Sequence, residues 1–180
     1  GVARSTLPDK PQVLWTFTVE QGGFEATAVI DRGVVYVGSV HGKFFALDLA
    51  SGRRLWEFAD ASGFSAPASV RAELVYVGDS DGRLHCLDAK TGKPKWHFDA
   101  EGEINSCPNF YGENLLVGSQ DSCLYCLDAK TGRQVWKYQS EKSAPKMKIG
   151  RLHQIQLTSG LMKAFTATRL PSCSKDMSDR

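Results

Sequence analysis

Three features of the amino-acid sequence predict an all-β fold built from a repeated module. First, the segment VYVGSVHGKFFALDLASGRRLWEF returns about forty residues later as VYVGDSDGRLHCLDAKTGKPKWHF, and again as LLVGSQDSCLYCLDAKTGRQVWKY. A fixed period of this length is typical of solenoids, propellers and arrays. Second, runs rich in Val, Tyr, Leu, Phe and Trp are broken about every 8–12 residues by Gly, Asp and Ser, as short strands require. Third, no window sustains a helical period. Together these features predict a β-propeller fragment of three four-stranded antiparallel blades.

The repeat also sets the predicted domain boundaries. Residues 1–12 are a lead-in, and residues 13–140 form the propeller domain. The segment Val13-Leu14-Trp15-Thr16-Phe17 matches only the last strand of a unit, so we expect one strand of a preceding blade there. Three full units follow, at about residues 24–60, 64–100 and 104–140.

After Tyr138 the register of the repeat is lost, and residues 141–180 are predicted to form a disordered, non-repeat tail. Propellers usually need about four to eight blades to close. Three blades therefore suggest part of a longer protein, as does a chain that begins with Gly1 rather than Met.

Within the second unit, four strands are predicted, and their connections have physical causes. The first strand contains Pro67, which cannot donate to a ladder, so it is expected at a sheet edge. Pro108 gives the same expectation in the third unit. The four predicted strands are Phe64–Val70, Leu74–Asp79, Arg83–Asp88 and Pro94–Phe98.

Residues that recur in every unit are interpreted as structural. The aspartate can accept hydrogen bonds from the amides ahead of it, and the glycine can take a positive φ in the same turn. The tryptophan is expected to pack into the seam between blades, burying ~150–250 Å². These recurring positions are Asp48, Gly52 and Trp56, then Asp88, Gly92 and Trp96, then Asp128, Gly132 and Trp136.

The charge distribution argues against a nucleic-acid partner. Residues 1–140 hold 14 Lys+Arg and 17 Asp+Glu, whereas residues 141–180 hold 8 and 3. The repeat region is therefore mildly acidic, and the basic residues of the tail are scattered rather than clustered. The sequence has no run of about 20 apolar residues, so no membrane span is predicted.

Several motifs that could carry chemistry are better explained by structure. Cys123 and Cys126 lie on a predicted strand, where residues three apart point to opposite faces, which disfavours a metal or redox pair. Asp79-Ser80-Asp81-Gly82 lacks the later ligands of a calcium loop and fits a hairpin turn. The histidines stand alone, and His85 aligns with Phe45 and Tyr125, which predicts a half-buried aromatic position. No catalytic residue and no metal ligand is assigned.

A candidate ligand or partner site lies at equivalent polar positions that vary between units, namely Glu25, Ser65 and Asn105. They are expected at the start of each strand nearest the propeller axis, where three side chains can converge on one mouth. Polar groups converging at a concave mouth are the default hypothesis for a binding site.

The repeated segment also resembles a known family. Cys86-Leu87-Asp88-Ala89-Lys90-Thr91-Gly92, leading to Trp96, is similar to the tryptophan-docking motif A-x-D-x-x-T-G-x-x-x-W, as are its two counterparts. This motif marks the pyrroloquinoline-quinone-like (PQQ-like) repeat propellers. Two units have Cys where the motif has Ala, and Ser51 replaces Thr in the first unit.

The resemblance implies one of two functions. One branch of the family, BamB-like, is non-catalytic and binds protein partners in the bacterial periplasm or cell envelope; it needs no cofactor. The other branch comprises quinoprotein alcohol and sugar dehydrogenases, which use PQQ and calcium. Some of these carry a disulfide between adjacent cysteines and a calcium site, and no residue here matches either. Regular units without insertions favour the binding scaffold over the dehydrogenase fragment.

Overall fold

The computed structural model describes residue 10, residues 12–59 and residues 62–140. All of these belong to the first of the two units into which the chain divides, Gly1–Lys142. The lead-in before residue 10 and the tail predicted at residues 141–180 lie outside the described residues.

Within the described residues, twelve strands form three separate four-stranded antiparallel sheets, in the strand orders β1-β2-β3-β4, β5-β6-β7-β8 and β9-β10-β11-β12. The all-β prediction and the three-sheet architecture are confirmed. Among the described residues there is no helix long and apolar enough to cross a membrane. The first sheet consists of β1 (Val29–Asp31), β2 (Val34–Gly38), β3 (Lys43–Asp48) and β4 (Arg54–Ala59). The second consists of β5 (Ser69–Arg71), β6 (Leu74–Gly78), β7 (Arg83–Asp88) and β8 (Pro94–Asp99). The third consists of β9 (Asn109–Tyr111), β10 (Asn114–Gly118), β11 (Cys123–Asp128) and β12 (Gln134–Gln139).

The first strand of each sheet is an edge strand, as the prolines predicted, but it is shorter than expected. In the second sheet β5 spans only Ser69–Arg71, whereas Phe64–Val70 was predicted. Pro67 and Pro108 precede their strands instead of lying within them. The reason is that the upstream segment bonds elsewhere: the Phe64 N–H donates to the carbonyl of Ser39 in the first sheet, 3.0 Å away.

Each sheet carries one irregularity between its third and fourth strands, immediately before the repeated tryptophan. Ala46 pairs with Trp56 while Leu47 pairs with Arg54, which leaves Leu55 as an extra residue. The same shift occurs in the other two sheets. A bulge bends its strand and re-aims nearby side chains. Here it adjusts the direction of the strand that presents the tryptophan.

No strand is assigned to residues 13–17, where the last strand of a preceding blade was expected. A strand needs a ladder partner, and the described residues contain no sheet for this segment to join. Its side chains nevertheless pack like those of a last strand: Trp15 and Phe17 cover a buried cluster that includes Phe45 and Leu47.

The apolar core lies between the sheets. One buried cluster joins the first and second sheets through residues such as Phe44, Trp56 and Phe64. Another joins the second and third sheets through residues such as Leu84 and Ile104. The outer strand β12 is exposed along its whole length, so the three sheets form an arc and not a closed ring.

Candidate functional site

The predicted mouth residues lie in the segments that precede the first strand of each sheet. Backbone hydrogen bonds hold these segments to the hairpins that connect the second and third strands of a sheet. The N–H of Ile104 donates to the carbonyl of Asp79 in the preceding sheet, 3.1 Å away. The N–H of Gln120, from the hairpin of its own sheet, donates to the carbonyl of Glu103, 2.9 Å away. Equivalent bonds hold the second segment. The second and third segments are therefore fixed between two hairpins, one from their own sheet and one from the sheet before it. The segment of Glu25 is bonded to the hairpin of its own sheet, where the Val40 N–H donates to the Gly23 carbonyl at 3.1 Å.

The three predicted mouth residues lie in these segments, each four residues before the first residue of its short strand (Val29, Ser69 and Asn109), and not at strand starts. Glu25 and Asn105 are exposed, and Ser65 is half-buried. Ser65 Oγ donates to Glu103 Oε1 at 3.3 Å, so it reaches the next sheet's segment without bonding to Asn105. That these three side chains share one ligand stays a prediction.

Glu103 is a residue that sequence reasoning missed. Its second carboxylate oxygen accepts a hydrogen bond from Gln120 Nε2 at 2.9 Å. The equivalent positions hold Gly23 and Gly63, so this carboxylate belongs to the third unit alone. A charged residue at a position that is glycine in the other units was the available signal. With Ser65, it forms a polar cluster across the seam between the second and third sheets.

A second missed feature is a buried acid–base pair in the second sheet. His85 Nε2 lies 2.8 Å from Asp79 Oδ2, and both side chains are almost fully buried. The same carboxylate accepts the N–H groups of Asp81 and Arg83 at 3.0 and 2.8 Å. The imidazole also packs edge-on against Phe58 of the first sheet, with ring centroids 5.2 Å apart. His85 is thus buried and paired, where a half-buried aromatic position was expected.

Two opposing influences set the pKa of Asp79. Burial is the largest and raises the pKa, because it disfavours the charged carboxylate. The hydrogen bonds from His85 and from the backbone outweigh it, so the pKa lies below the ordinary value of 3.8. The pair therefore holds an ionised carboxylate inside the arc.

In the third sheet, an aromatic side chain at the equivalent position is also hydrogen-bonded to a carboxylate, but both residues differ. Tyr125 occupies the position of His85, and its hydroxyl donates to the carboxylate of Asp121. Burial and then this carboxylate raise the pKa of Tyr125 to about 12. In the first sheet Phe45 has no polar atom, and the turn there begins with the buried Ser39. In these three sheets, a carboxylate lies beside the aromatic side chain only where that ring has a polar atom that needs a hydrogen-bond partner.

The recurring aspartate is the acceptor of a tight turn. Asp88 Oδ1 accepts the N–H groups of Lys90 and Thr91, at 3.2 and 2.9 Å, and the Thr91 hydroxyl at 2.9 Å. The hydroxyl of Thr91 and the ammonium of Lys95 lower the pKa of Asp88 to about 2. Equivalent bonds lower the pKa values of Asp48 and Asp128.

The recurring tryptophan contacts the recurring glycine of the following sheet. A Cβ added to Gly92 would lie 2.6 Å from Cε3 of Trp56, and the Trp56 indole donates to the carbonyl of Ala89 at 2.9 Å. Trp15 makes the same indole bond to Leu49, at 2.8 Å. Gly52 and Gly92 both have a φ of 71°, which favours glycine.

The seam between the second and third sheets differs from the seam between the first and second sheets in the hydrogen bond of its tryptophan. Trp96 lies over Gly132, but its buried indole N–H has no hydrogen-bond partner. The Tyr76 hydroxyl donates to the Ala129 carbonyl at 3.0 Å, as the Tyr36 hydroxyl does to the Ala89 carbonyl in the first seam at 3.3 Å.

The cysteines are packing residues as far as the described chain extends. Cys86, Cys123 and Cys126 are buried and free, and Cys107 is half-buried and free. Burial raises the pKa of the Cys86 thiol to about 12, which keeps it protonated at neutral pH. Within residues 12–59 and 62–140, no three His, Cys, Asp or Glu side chains come together as a metal-binding group.

Comparison with known proteins agrees with this architecture. A family model described as outer membrane protein assembly factor BamB matches residues 46–162. No curated protein sequence matches the chain. BamB from Moraxella catarrhalis is a similar solved structure, with 27% identity and a TM-score of 0.60; the match covers 67% of this chain and 38% of that one.

Two other solved structures are also similar. Quinohemoprotein alcohol dehydrogenase from Comamonas testosteroni has 26% identity and a TM-score of 0.55, over 65% of this chain and 21% of that one. The computationally designed Ika4 protein shares the fold at 18% identity and a TM-score of 0.61, over 72% of this chain and 80% of that one. The chain thus spans well under half the length of its natural neighbours.

The fold and its recurring turns define a β-propeller repeat protein of the PQQ-like class. More narrowly, the chain belongs to the family of the outer membrane protein assembly factor BamB, whose model covers more than half of it. The resemblance seen in the sequence is confirmed at the level of the family.

Proposed function

We propose that this chain is part of a non-catalytic scaffold that binds protein partners in the bacterial periplasm or cell envelope and needs no cofactor. The observation that carries the proposal is the match of residues 46–162 to the BamB family model. The similarity to BamB from Moraxella catarrhalis supports it, with a TM-score of 0.60 against 0.55 for the dehydrogenase from Comamonas testosteroni. The recurring motif is proposed to act as a tryptophan-docking device that builds this scaffold.

The binding surface proposed for the partner is the mouth of Glu25, Ser65 and Asn105, extended by Glu103 and Gln120. The segments of Ser65 and Asn105 are held by backbone bonds on both sides, and the segment of Glu25 is held by a backbone bond to the hairpin of its own sheet. Rigid backbone with exposed, variable side chains is the arrangement in which binding residues are usually presented. The carboxylates of Glu25 and Glu103 favour a partner segment that offers Lys or Arg side chains or backbone N–H groups.

Site-specific photo-crosslinking in bacteria tests this proposal. A photoreactive residue at Asn105 or Glu25, both exposed, should give a crosslinked adduct with a defined protein. The matched control is the same residue at Lys93, which is exposed in the turn before β8. An adduct that needs the mouth positions and is lost when Glu25, Ser65 and Asn105 are all replaced by alanine supports the scaffold. Equal crosslinking from Lys93, or none from the mouth, contradicts it.

The second candidate is a piece of a PQQ- and calcium-dependent dehydrogenase. The 26% identity to quinohemoprotein alcohol dehydrogenase from Comamonas testosteroni favours it. The described residues do not supply a metal-binding group, so calcium and PQQ would be held by other parts of the polypeptide. The test is titration with PQQ and calcium, followed by a dye-linked assay of alcohol and sugar oxidation. Saturable PQQ binding with turnover would replace the scaffold proposal.

A further inference from the structure

The connections between strands lie at two opposite ends of each sheet. The hairpin between the first and second strands meets the turn between the third and fourth strands, where the Leu49 N–H donates to the Gly33 carbonyl at 2.9 Å. The equivalent bond is 2.8 Å long in the second sheet and 3.1 Å long in the third. We call this the turn end, and it comprises residues 31–33, 48–54, 71–73, 88–94, 111–113 and 128–134. The opposite, mouth end comprises residues 23–28, 39–42, 63–68, 79–82, 103–108 and 119–122.

The two ends differ in charge. The turn end holds eight Lys or Arg and six Asp or Glu, whereas the mouth end holds no Lys or Arg and five Asp or Glu. Three of the six acidic residues at the turn end are the recurring aspartates, whose carboxylates accept hydrogen bonds within their own turns. Within the described residues, four cations of the turn end form no salt bridge, namely Arg53, Lys90, Lys93 and Arg133.

The second sheet shows that these cations are exposed when a sheet packs on both sides. Buried clusters join it to the first and to the third sheet, yet Lys90 and Lys93 are exposed. The seam buries the glycine between them, Gly92, under Trp56. Arg53 and Arg133 occupy the position of Lys93 in their own turns and are also exposed. Each sheet therefore presents a cation directly after the turn glycine, outside the seam.

An aliphatic side chain is exposed beside these cations. Leu55 is the extra residue of the bulge in β4 and follows Arg53 and Arg54. It is 44% exposed, although the second sheet packs against the first. The same position in the second sheet is Lys95, which is exposed between two neighbouring sheets. Lys and Arg side chains beside an exposed aliphatic side chain suit the headgroup region of a bilayer, where both kinds of group are accommodated.

We propose that the turn end docks on the surface of a bilayer that contains anionic phospholipids, with the mouth end facing the aqueous phase. Clusters of about 4–8 Lys and Arg side chains bind anionic leaflets. Headgroups diffuse in the plane of the bilayer, so they can meet cations from three successive sheets without a fitted pocket. The acidic mouth end is repelled by the same surface, which fixes the orientation. The inference goes beyond the proposed function and does not depend on it.

Cosedimentation of the full chain with vesicles tests the proposal. We expect the chain to bind vesicles of equal parts phosphatidylcholine and phosphatidylglycerol, to lose this binding as salt is raised, and not to bind phosphatidylcholine alone. Replacing Arg53, Lys93 and Arg133 together by glutamine should weaken binding about tenfold or more. These side chains are exposed, so the melting temperature of this turn variant should not change. Leu55→Ser should weaken binding by a smaller factor.

The matched control removes three cations from residues 141–180, which are also rich in Lys and Arg. A tail variant with Lys148, Lys163 and Arg169 replaced by glutamine should bind the anionic vesicles as tightly as the native chain. A loss in the tail variant as large as that in the turn variant overturns the proposal. So does a native chain that does not bind the anionic vesicles at low salt.

Two further measurements separate a bilayer from an acidic protein and check the orientation. Polyglutamate that displaces the chain from vesicles, together with a Leu55→Ser variant that binds as tightly as the native chain, would assign the turn end to an acidic protein and overturn the proposal. A fluorescent label at Lys90 should be quenched by lipids that carry a quencher on the headgroup, whereas a label at Asn105, at the mouth end, should not. Equal quenching at the two positions, or stronger quenching at Asn105, also overturns the proposal.

Discussion

The seam between the first two sheets and the outer face of the third sheet contain the same residue types at the same repeat positions, but in different surroundings. In the seam, Trp56 is buried, covers Gly92 and donates to the Ala89 carbonyl. On the outer face, Trp136 repeats the sequence and is 38% exposed, because no sheet among the described residues packs against it. The difference shows that the following sheet, and not the module itself, provides the burial. In repeat proteins, stability is approximately the sum of module terms and nearest-neighbour interface terms.

The largest expected effect separates these two tryptophans. Trp56→Ala should cost about 3–5 kcal/mol of unfolding free energy, because it removes a large buried ring and leaves a cavity. Trp136→Ala should cost well under about 1 kcal/mol in the monomer, as expected of a surface change. Urea unfolding at low protein concentration measures both. Equal losses would show that the outer face is covered in solution.

A smaller effect separates two glycines. Gly78→Ala should destabilise the chain by about 1–3 kcal/mol, because the added Cβ would overlap Ile104 and approach its carbonyl oxygen to 2.7 Å. Gly118→Ala should be close to neutral in the monomer, since the new Cβ meets only Ser106 at van der Waals distance. Thermal melts of the two variants at matched low concentration decide this. A neutral Gly78→Ala would mean that the second seam is looser than described.

Much of the architecture was predictable because the three repeat units can be aligned with one another, which identifies the positions that every unit shares. Asp88 and Gly92 were interpreted as turn residues, and the structure places them in a turn with the expected acceptor and the expected positive φ. Edge strands were correctly predicted from Pro67 and Pro108, although both prolines lie before the strands and not within them. The length of those strands did not follow, since the Phe64 N–H bonds to Ser39 of another sheet, and no local pattern reports such a partner.

The candidate site was harder to predict because it depends on differences between the units. Glu103 and His85 each occur in one unit only, so their partners come from three-dimensional contacts and not from the repeat. Ser65 was placed at the mouth, but its bond to Glu103 instead of Asn105 depends on how two neighbouring segments face each other. Side-chain pairing across a seam is not encoded by spacing.

The buried pair of Asp79 and His85 in the second sheet corresponds to Ser39 and Phe45 in the first sheet, so two substitutions can convert one arrangement into the other. Asp79→Ser should cost about 1–3 kcal/mol, because it leaves the buried imidazole of His85 without its acceptor. Adding His85→Phe installs the residues found at Ser39 and Phe45 and should recover most of the loss. Urea unfolding at neutral pH of the single and double variants measures the recovery. A double variant no better than the single one would contradict this account.

The same pair predicts a pH dependence with a definite sign. The pKa of Asp79 in the folded chain lies below its ordinary value of 3.8. Its carboxylate therefore stabilises the fold above pH 3.8, and this contribution is lost as the pH falls below that value through the folded-state pKa. The stability difference between the native chain and Asp79→Ser should shrink on acidification. A difference that stays constant down to acid unfolding would show that the carboxylate is not ionised in the fold.

The smallest expected effect compares the hairpin turns that connect the first two strands of each sheet. Ala72 and Glu73 have φ values of 49° and 66°, a left-handed conformation that disfavours side chains, whereas the first sheet has a glycine, Gly33, at the equivalent second position. Glu73→Gly should therefore stabilise the chain by a few tenths to about 1 kcal/mol, because the relief of strain exceeds the added freedom of the unfolded chain. The Glu73 carbonyl, which accepts the Ala89 N–H at 2.8 Å, is retained in this variant. The reverse change, Gly33→Glu, should destabilise the first sheet by a similar amount, and thermal melts of the two variants should move in opposite directions. A lower melting temperature for Glu73→Gly would show that the side chain, and not the backbone conformation, determines the stability of this turn.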